Sequence, residues 1–95
     1  MSPSRYLAEV NIAATIIDLL RQRAPSASIC PSDVARALAS DEPAWRALMP
    51  SIRDTAAAMA RSECIVITQG TDRVDPADVD HGPIRLRRGM RFPAA

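Results

Sequence analysis

Prolines suited to open helices at positions 31 and 50, an apolar stripe at helical spacing before them, and a β-branched run after residue 64 set the expected fold. Together they predict a mainly α chain with a small β-ribbon. Three helices and two to three short strands are expected, arranged as a winged helix-turn-helix. The 95 residues suit a single domain spanning 1–95, large enough for one modest core.

The first helix is expected to open at Ser2-Pro3, with its apolar pattern running over 5–23. Ser2 can cap it and Pro3 suits its first position. Tyr6, Leu7, Val10, Ala13, Ala14, Ile17 and Leu20 recur at helical spacing, and Ile12, Ile16 and Leu19 widen the stripe. Asn11, Thr15, Asp18 and Gln22 form one narrow polar line. A helix apolar over more than half its circumference needs partners on two sides. Pro25 ends it.

Residues 26–30 read as a loop or short strand. Pro31 opens the second helix, with Asp33 in the first turn, where a carboxylate is favoured. Residues 41–43 cap a short turn holding Trp45 and Leu48, and Pro50 disfavours helix at Met49, so a bend is expected there. The third helix is expected over 50–62.

Residues 65–69 form a β-branched strand, Gly70-Thr71 a turn, and 72–75 a short return strand. An acidic loop follows over 76–82. Residues 83–87 alternate apolar and charged, the pattern of a half-buried strand. Residues 88–95 are expected to be a frayed tail. The predicted core is Ile17, Leu20, Val34, Leu38, Leu48, Ile52, Met59, Ile65 and Ile67, with Trp45 as a plug between the second and third helices.

Several blocks resemble a family of small bacterial proteins of unknown function. They are Ile29-Cys-Pro-Ser-Asp-Val-Ala-Arg36, Trp45-Arg-Ala-Leu-Met-Pro-Ser-Ile-Arg53, residues 67–70, Val74-Asp-Pro76 and Gly82-Pro-Ile-Arg-Leu86. The resemblance covers nearly the whole chain and implies a winged-helix-like fold. It implies no activity, substrate or catalytic residue. Arg61-Ser-Glu-Cys64 stands where such proteins usually carry a glycine turn.

Composition narrows the function. Net charge is +1, so the chain as a whole has no strong field to steer it to nucleic acid. All 12 basic residues are arginine, the side chain that grips phosphate or carboxylate through a bidentate fork. No apolar run is long enough to span a membrane. The N-terminal stretch lacks the order of an export signal. Two cysteines without such a signal suggest reduced thiols, so a cytoplasmic location is expected.

The chemistry-bearing candidates are few. In a winged helix the third helix would read a DNA groove. Ile52, Ala56, Met59 and Ala60 should face inward, with Asp54 and Arg61 outward, flanked by Ser51, Ala57 and Ala58, and Arg53 on the shoulder. Alternation puts Arg85 and Arg87 on one strand face, with Arg88 just beyond. These arginines either grip phosphates or pair with Asp72, Asp75, Asp78 and Asp80; residues 72–91 hold four acids against five arginines. Cys30 sits at a helix N-terminus, but the single histidine, His81, lies in the acidic loop. Cys30, Cys64 and His81 lack paired zinc-ligand spacing, and Asp75, Asp78, Asp80 and His81 match no cation loop.

No catalytic residue, metal or cofactor is therefore expected, and an enzyme is the least favoured class. Two readings remain. One is a DNA-binding module using Ser51, Arg53, Arg61, Arg85, Arg87 and Arg88. The other is a protein-interaction or homodimerisation module using the alanine-rich face of the third helix.

Overall fold

The computed structural model describes residues 3–93, with side chains from residue 11 onward. Helices α1 (Pro3–Arg21), α2 (Pro31–Leu38) and α3 (Glu42–Arg61) pack against one face of a four-stranded antiparallel sheet. Its strands are β1 (Ser28–Ile29), β2 (Ile65–Gln69), β3 (Asp72–Arg73) and β4 (Arg85–Arg88), in the order β1-β4-β2-β3. The layout is winged-helix-like. The fourth strand comes from the ambiguous 26–30 segment, where Ser28 pairs with Arg87 and Ile29 with Leu86.

In α1, Ile12, Ile16 and Leu20 carry the inward stripe and are essentially unexposed. Ile17, expected in the core, is only half-buried. The helix ends at Arg21 rather than 23. A helical Pro25 would clash with the carbonyl four residues back, at Arg21. The proposed Ser2 cap lies outside the described residues. In α2 the Asp33 carboxylate accepts the Cys30 N–H at 2.9 Å, one half of a capping box. Burial works to raise the Asp33 pKa. The Cys30 hydrogen bonds and the nearby Arg23 and Arg85 charges outweigh it and hold the carboxyl below its usual value.

The expected break at Pro50 is absent, and α3 starts at Glu42 rather than 50. Asp41 caps it, accepting the Ala44 N–H at 2.8 Å, and Pro43 occupies the first turn. An interior proline costs about 3 kcal/mol. Two features offset that cost here. Pro50 and Arg46 are both exposed, so the carbonyl that Pro50 frees at Arg46 faces water. Trp45, Leu48 and Met49 on the same turns pack against the core, which a bend at residue 49 would forfeit. The helix-turn-helix bend is thus at 39–41. Leu38 and Leu48, expected in the core, sit half-buried at its edge.

The end of α3 explains the missing glycine turn. The Glu63 N–H donates to the Ala60 carbonyl and the Cys64 N–H to the Met59 carbonyl, each at 3.0 Å. This is a Schellman motif, which wants glycine at the left-handed position. Glu63 holds that position at φ 66°. Its pair with Arg91, at 3.4 Å, is exposed and contributes little. Glu63→Gly is therefore expected to relieve strain and stabilise the protein by about 0.5–1 kcal/mol, a gain of a few degrees in Tm. Calorimetry checks this; an unchanged or lower Tm contradicts it.

In the hairpin, Gly70 takes φ +63° at the first position of a two-residue loop, where a type II′ turn requires glycine. The acidic loop is not open. Its 3₁₀ turn, Pro76–Asp78, packs on α3 and delivers Val79 to the core. Ala57, expected to flank the outward face of the third helix, is buried.

The expected frayed tail is tied down along its first part. Arg88 belongs to β4, Phe92 packs against the core, and the Gly89 N–H donates to the Cys64 carbonyl at 3.0 Å. Residues 94–95 lie outside the described residues.

Candidate nucleic-acid interface

Strand alternation decides which arginines share a surface. On β4 and its approach, Ile84 and Leu86 point into the core, so Arg85 and Arg87 point away from the helices. Register extends this outer face across the sheet. Thr68 lies opposite Arg85 on one side and Arg73 on the other, while Val66 and Ser28 flank Arg87. The face thus carries Ser28, Val66, Thr68, Arg73, Arg85 and Arg87, and Asp75 borders it beside Arg73 and Val66. Arg73 and Arg85 are two strand spacings apart, about 10 Å, and Arg85 and Arg87 about 7 Å apart along β4.

The two β4 arginines do not pair with the wing acids as weighed above. Arg85 donates from Nε to the Ser28 hydroxyl at 2.9 Å, from Nη2 to the Ser28 carbonyl at 3.1 Å, and from Nη1 to the Cys30 sulfur at 3.1 Å. Arg87 donates to Thr68 Oγ1 at 3.3 Å and to the Ser26 carbonyl at 2.8 Å. A guanidinium has five N–H donors. These contacts use three on Arg85 and two on Arg87, so both fix the charges in place and leave donors over. Among the described residues, no carboxylate lies within ion-pair distance of Arg73, Arg85 or Arg87; the ion pairs described are Arg46–Glu42 and Arg91–Glu63. Acids are still near: the Asp33 carboxyl feels the Arg85 charge, and Asp72, Asp75 and Asp78 line a groove with Arg73.

The other candidates go elsewhere. Arg53 turns to the 79–82 segment, donating to the Val79 carbonyl and, at 3.2 Å, to the Gly82 carbonyl. Gln69 holds the same loop by donating to the His81 and Pro83 carbonyls at 2.9 and 3.0 Å. Ser51 and Arg61 are exposed on α3, with Asp54 between them. They therefore lie on the helical side of the sheet, away from Arg85 and Arg87. Arg88 shares the inward parity of Leu86. Its Nη2 donates to the Leu20 and Arg23 carbonyls at 2.9 and 3.2 Å, its guanidinium lies 4.8 Å from the Phe92 ring centre, and its Nε is buried without a partner. It binds the Leu20 carbonyl in the last turn of α1 and the Arg23 carbonyl just beyond it, and is not a surface contact. No single arginine stripe forms.

Sequence reasoning missed Arg73. Its signal was present: a two-residue Gly70-Thr71 loop places 73 opposite 68. It also missed the surroundings of Trp45, which is half-buried beneath the guanidiniums of Arg36 and Arg46 at 5.0 and 5.5 Å from the ring centre, an arrangement with cation–π character.

Both cysteines are free. Burial pushes the Cys64 thiol up from its usual value. Cys30 has Arg85 on its sulfur and Asp33 on its N–H, whereas the described hydrogen bonds of His81 are its N–H to the Asp78 carbonyl and its carbonyl to Gln69. Among the described residues there is no cluster of three metal-ligating side chains, and no helix is long and apolar enough to cross a membrane.

A comparison with curated proteins finds no match. Residues 9–89 match a family described as protein of unknown function, DUF3253. With the match running from the middle of α1 through the end of β4, this chain belongs to that family.

Proposed function

We propose that this protein is a DNA-binding module of the cytoplasm, without catalytic activity, that contacts the phosphate backbone through the outer face of its sheet. The observation that carries the reading is the set of Arg73, Arg85 and Arg87 across β3 and β4, none of them within ion-pair distance of a described carboxylate. Arg85 and Arg87 are pre-set by their local hydrogen bonds, so little side-chain entropy is lost on binding. The surface of α3 is a weak competitor. Asp54 repels phosphate, Arg53 is committed to the 79–82 loop, and Arg46 is paired with Glu42 at 2.8 Å.

Fluorescence anisotropy of a labelled duplex tests this. Each neutralised phosphate contributes about −0.9 to the slope of log affinity against log salt. Three arginines predict roughly −2.7, and Arg73→Ala roughly −1.8. Arg73 has no hydrogen bond or ion pair to lose among the described residues, so this change leaves the fold alone. Ser51→Ala and Arg61→Ala should leave affinity unchanged. Salt-independent binding, or binding that depends on Ser51 and Arg61 but not on Arg73, removes the reading.

A second reading rests on a shallow, mainly apolar groove of ≈ 390 Å³ between α1 and α3, lined by Ala13, Thr55, Ala58 and Met59 and edged by Asp54 and Ser62. It supports protein interaction or homodimerisation without nucleic acid. Sedimentation should then show mass rising with concentration and Ala58→Arg abolishing the rise. A strict monomer at high concentration excludes the self-associating form.

A further inference from the structure

Resting on the nucleic-acid reading of the sheet face, we infer that its ligand is the sugar–phosphate backbone of a double helix, bound without regard to base sequence. Reading a base edge requires donors or acceptors that reach into a groove, and holding single strands requires aromatic platforms on which bases stack. Apart from its arginines, the outer face supplies no long polar side chain and no aromatic ring. Between its arginines stand only Ser28, Val66 and Thr68. Gln69, the nearest amide, spends its N–H groups on the His81 and Pro83 carbonyls.

The aromatic residues are elsewhere. Trp45 lies between Arg36 and Arg46 on the helical side, and Phe92 lies under Arg88. Tyr6 belongs to α1.

Two of the three arginines are held back; only Arg73, exposed and without a side-chain bond among the described residues, is free to extend. Arg85 and Arg87 are bonded to Ser28, Cys30, Ser26 and Thr68, all on or beside the sheet. Their guanidiniums lie along the surface, and extending one into a groove would break those bonds. Two fixed cations about 7 Å apart, with Arg73 about 10 Å away across the sheet, suit the spaced phosphates along a helix exterior. The recognised chemistry is the phosphodiester backbone, which DNA and RNA helices share.

The experiment measures anisotropy with the intact chain against four probes of 20 nucleotides or base pairs: an AT-rich DNA duplex, a GC-rich DNA duplex, an RNA duplex and a DNA single strand. The two DNA duplexes should bind within a few-fold of one another, and Arg73→Ala should weaken both by the same factor. The single strand should bind more weakly than either. Binding of either helix type, or both, supports the inference and identifies the backbone taken. A spread above about tenfold between the DNA duplexes, which one base-edge contact would produce, overturns the inference alone. A preference for the single strand does the same. No binding to any probe at low salt overturns the underlying nucleic-acid reading as well.

Discussion

Leu86→Ala is expected to destabilise the protein by about 2–5 kcal/mol, the cost of emptying a well-packed leucine site. Leu86 is unexposed on β4, a central strand, with Ile29 opposite on β1 and Ile67 opposite on β2. All three point at the buried faces of the helices. A flanking strand held by two paired residues cannot move in to fill the space without breaking its register, so the site collapses poorly. Domains of this kind have about 5–15 kcal/mol in total, so the loss is a large fraction of the stability. Urea unfolding with an unchanged m-value measures it. A cost below about 1 kcal/mol would mean that β4 does not hold the sheet centre.

Gly89→Ala is expected to be comparably damaging, at about 3 kcal/mol, the upper range for overpacking. The reason is the close approach of two backbones. A Cβ at residue 89 would sit 2.3 Å from the Glu63 carbonyl oxygen and 2.9 Å from the carbonyl carbons of Cys64 and Ile65. Backbone atoms cannot rotate aside as a flexible side chain would. Relief requires separating the end of β4 from the Schellman turn, which loses the Gly89–Cys64 and Arg91–Glu63 backbone hydrogen bonds at 3.0 and 2.9 Å. Thermal melts compared with Met90→Ala, a change at an exposed side chain, separate this mechanism from general sensitivity of the tail. Equal, small effects of the two substitutions would contradict it.

The parts of the fold legible in the sequence were those set by local rules. Pro31 opens α2 because its missing N–H is an orphan there anyway. The alternation of Ile84, Arg85, Leu86 and Arg87 places two charges outside and two apolar residues inside. What was not legible depended on contacts distant in sequence. Pro50 reads as a breaker until Trp45, Leu48 and Met49 are seen packed on the core. Ala57 reads as exposed on the helix alone, yet it is buried in a fold whose 3₁₀ turn packs on α3.

Arg88 is a different case. Continuing the alternation one step would have turned it inward, but a run of arginines reads as a solvated surface. Its partners, the Leu20 and Arg23 carbonyls, lie 68 and 65 residues earlier. The candidate site divides in the same way. The outward direction of Arg85 and Arg87 follows from parity. Their bonds to Ser28 and Ser26, 57 and 61 residues away, follow only from the pairing of β1 with β4. Glu63 shows how a sequence irregularity can be informative. An absent glycine marked the position where a side chain now holds a left-handed turn at φ 66°.

The decisive measurement is which face of the molecule a duplex touches. Backbone amide spectra of the labelled protein, recorded as a short DNA duplex is added, report it residue by residue. Shifts gathered at Ser28, Val66, Thr68, Arg73, Arg85 and Arg87, with Ser51, Asp54 and Arg61 unmoved, are the predicted result. Shifts confined to α3, or none at a concentration where anisotropy reports binding, would contradict the assignment of the sheet face.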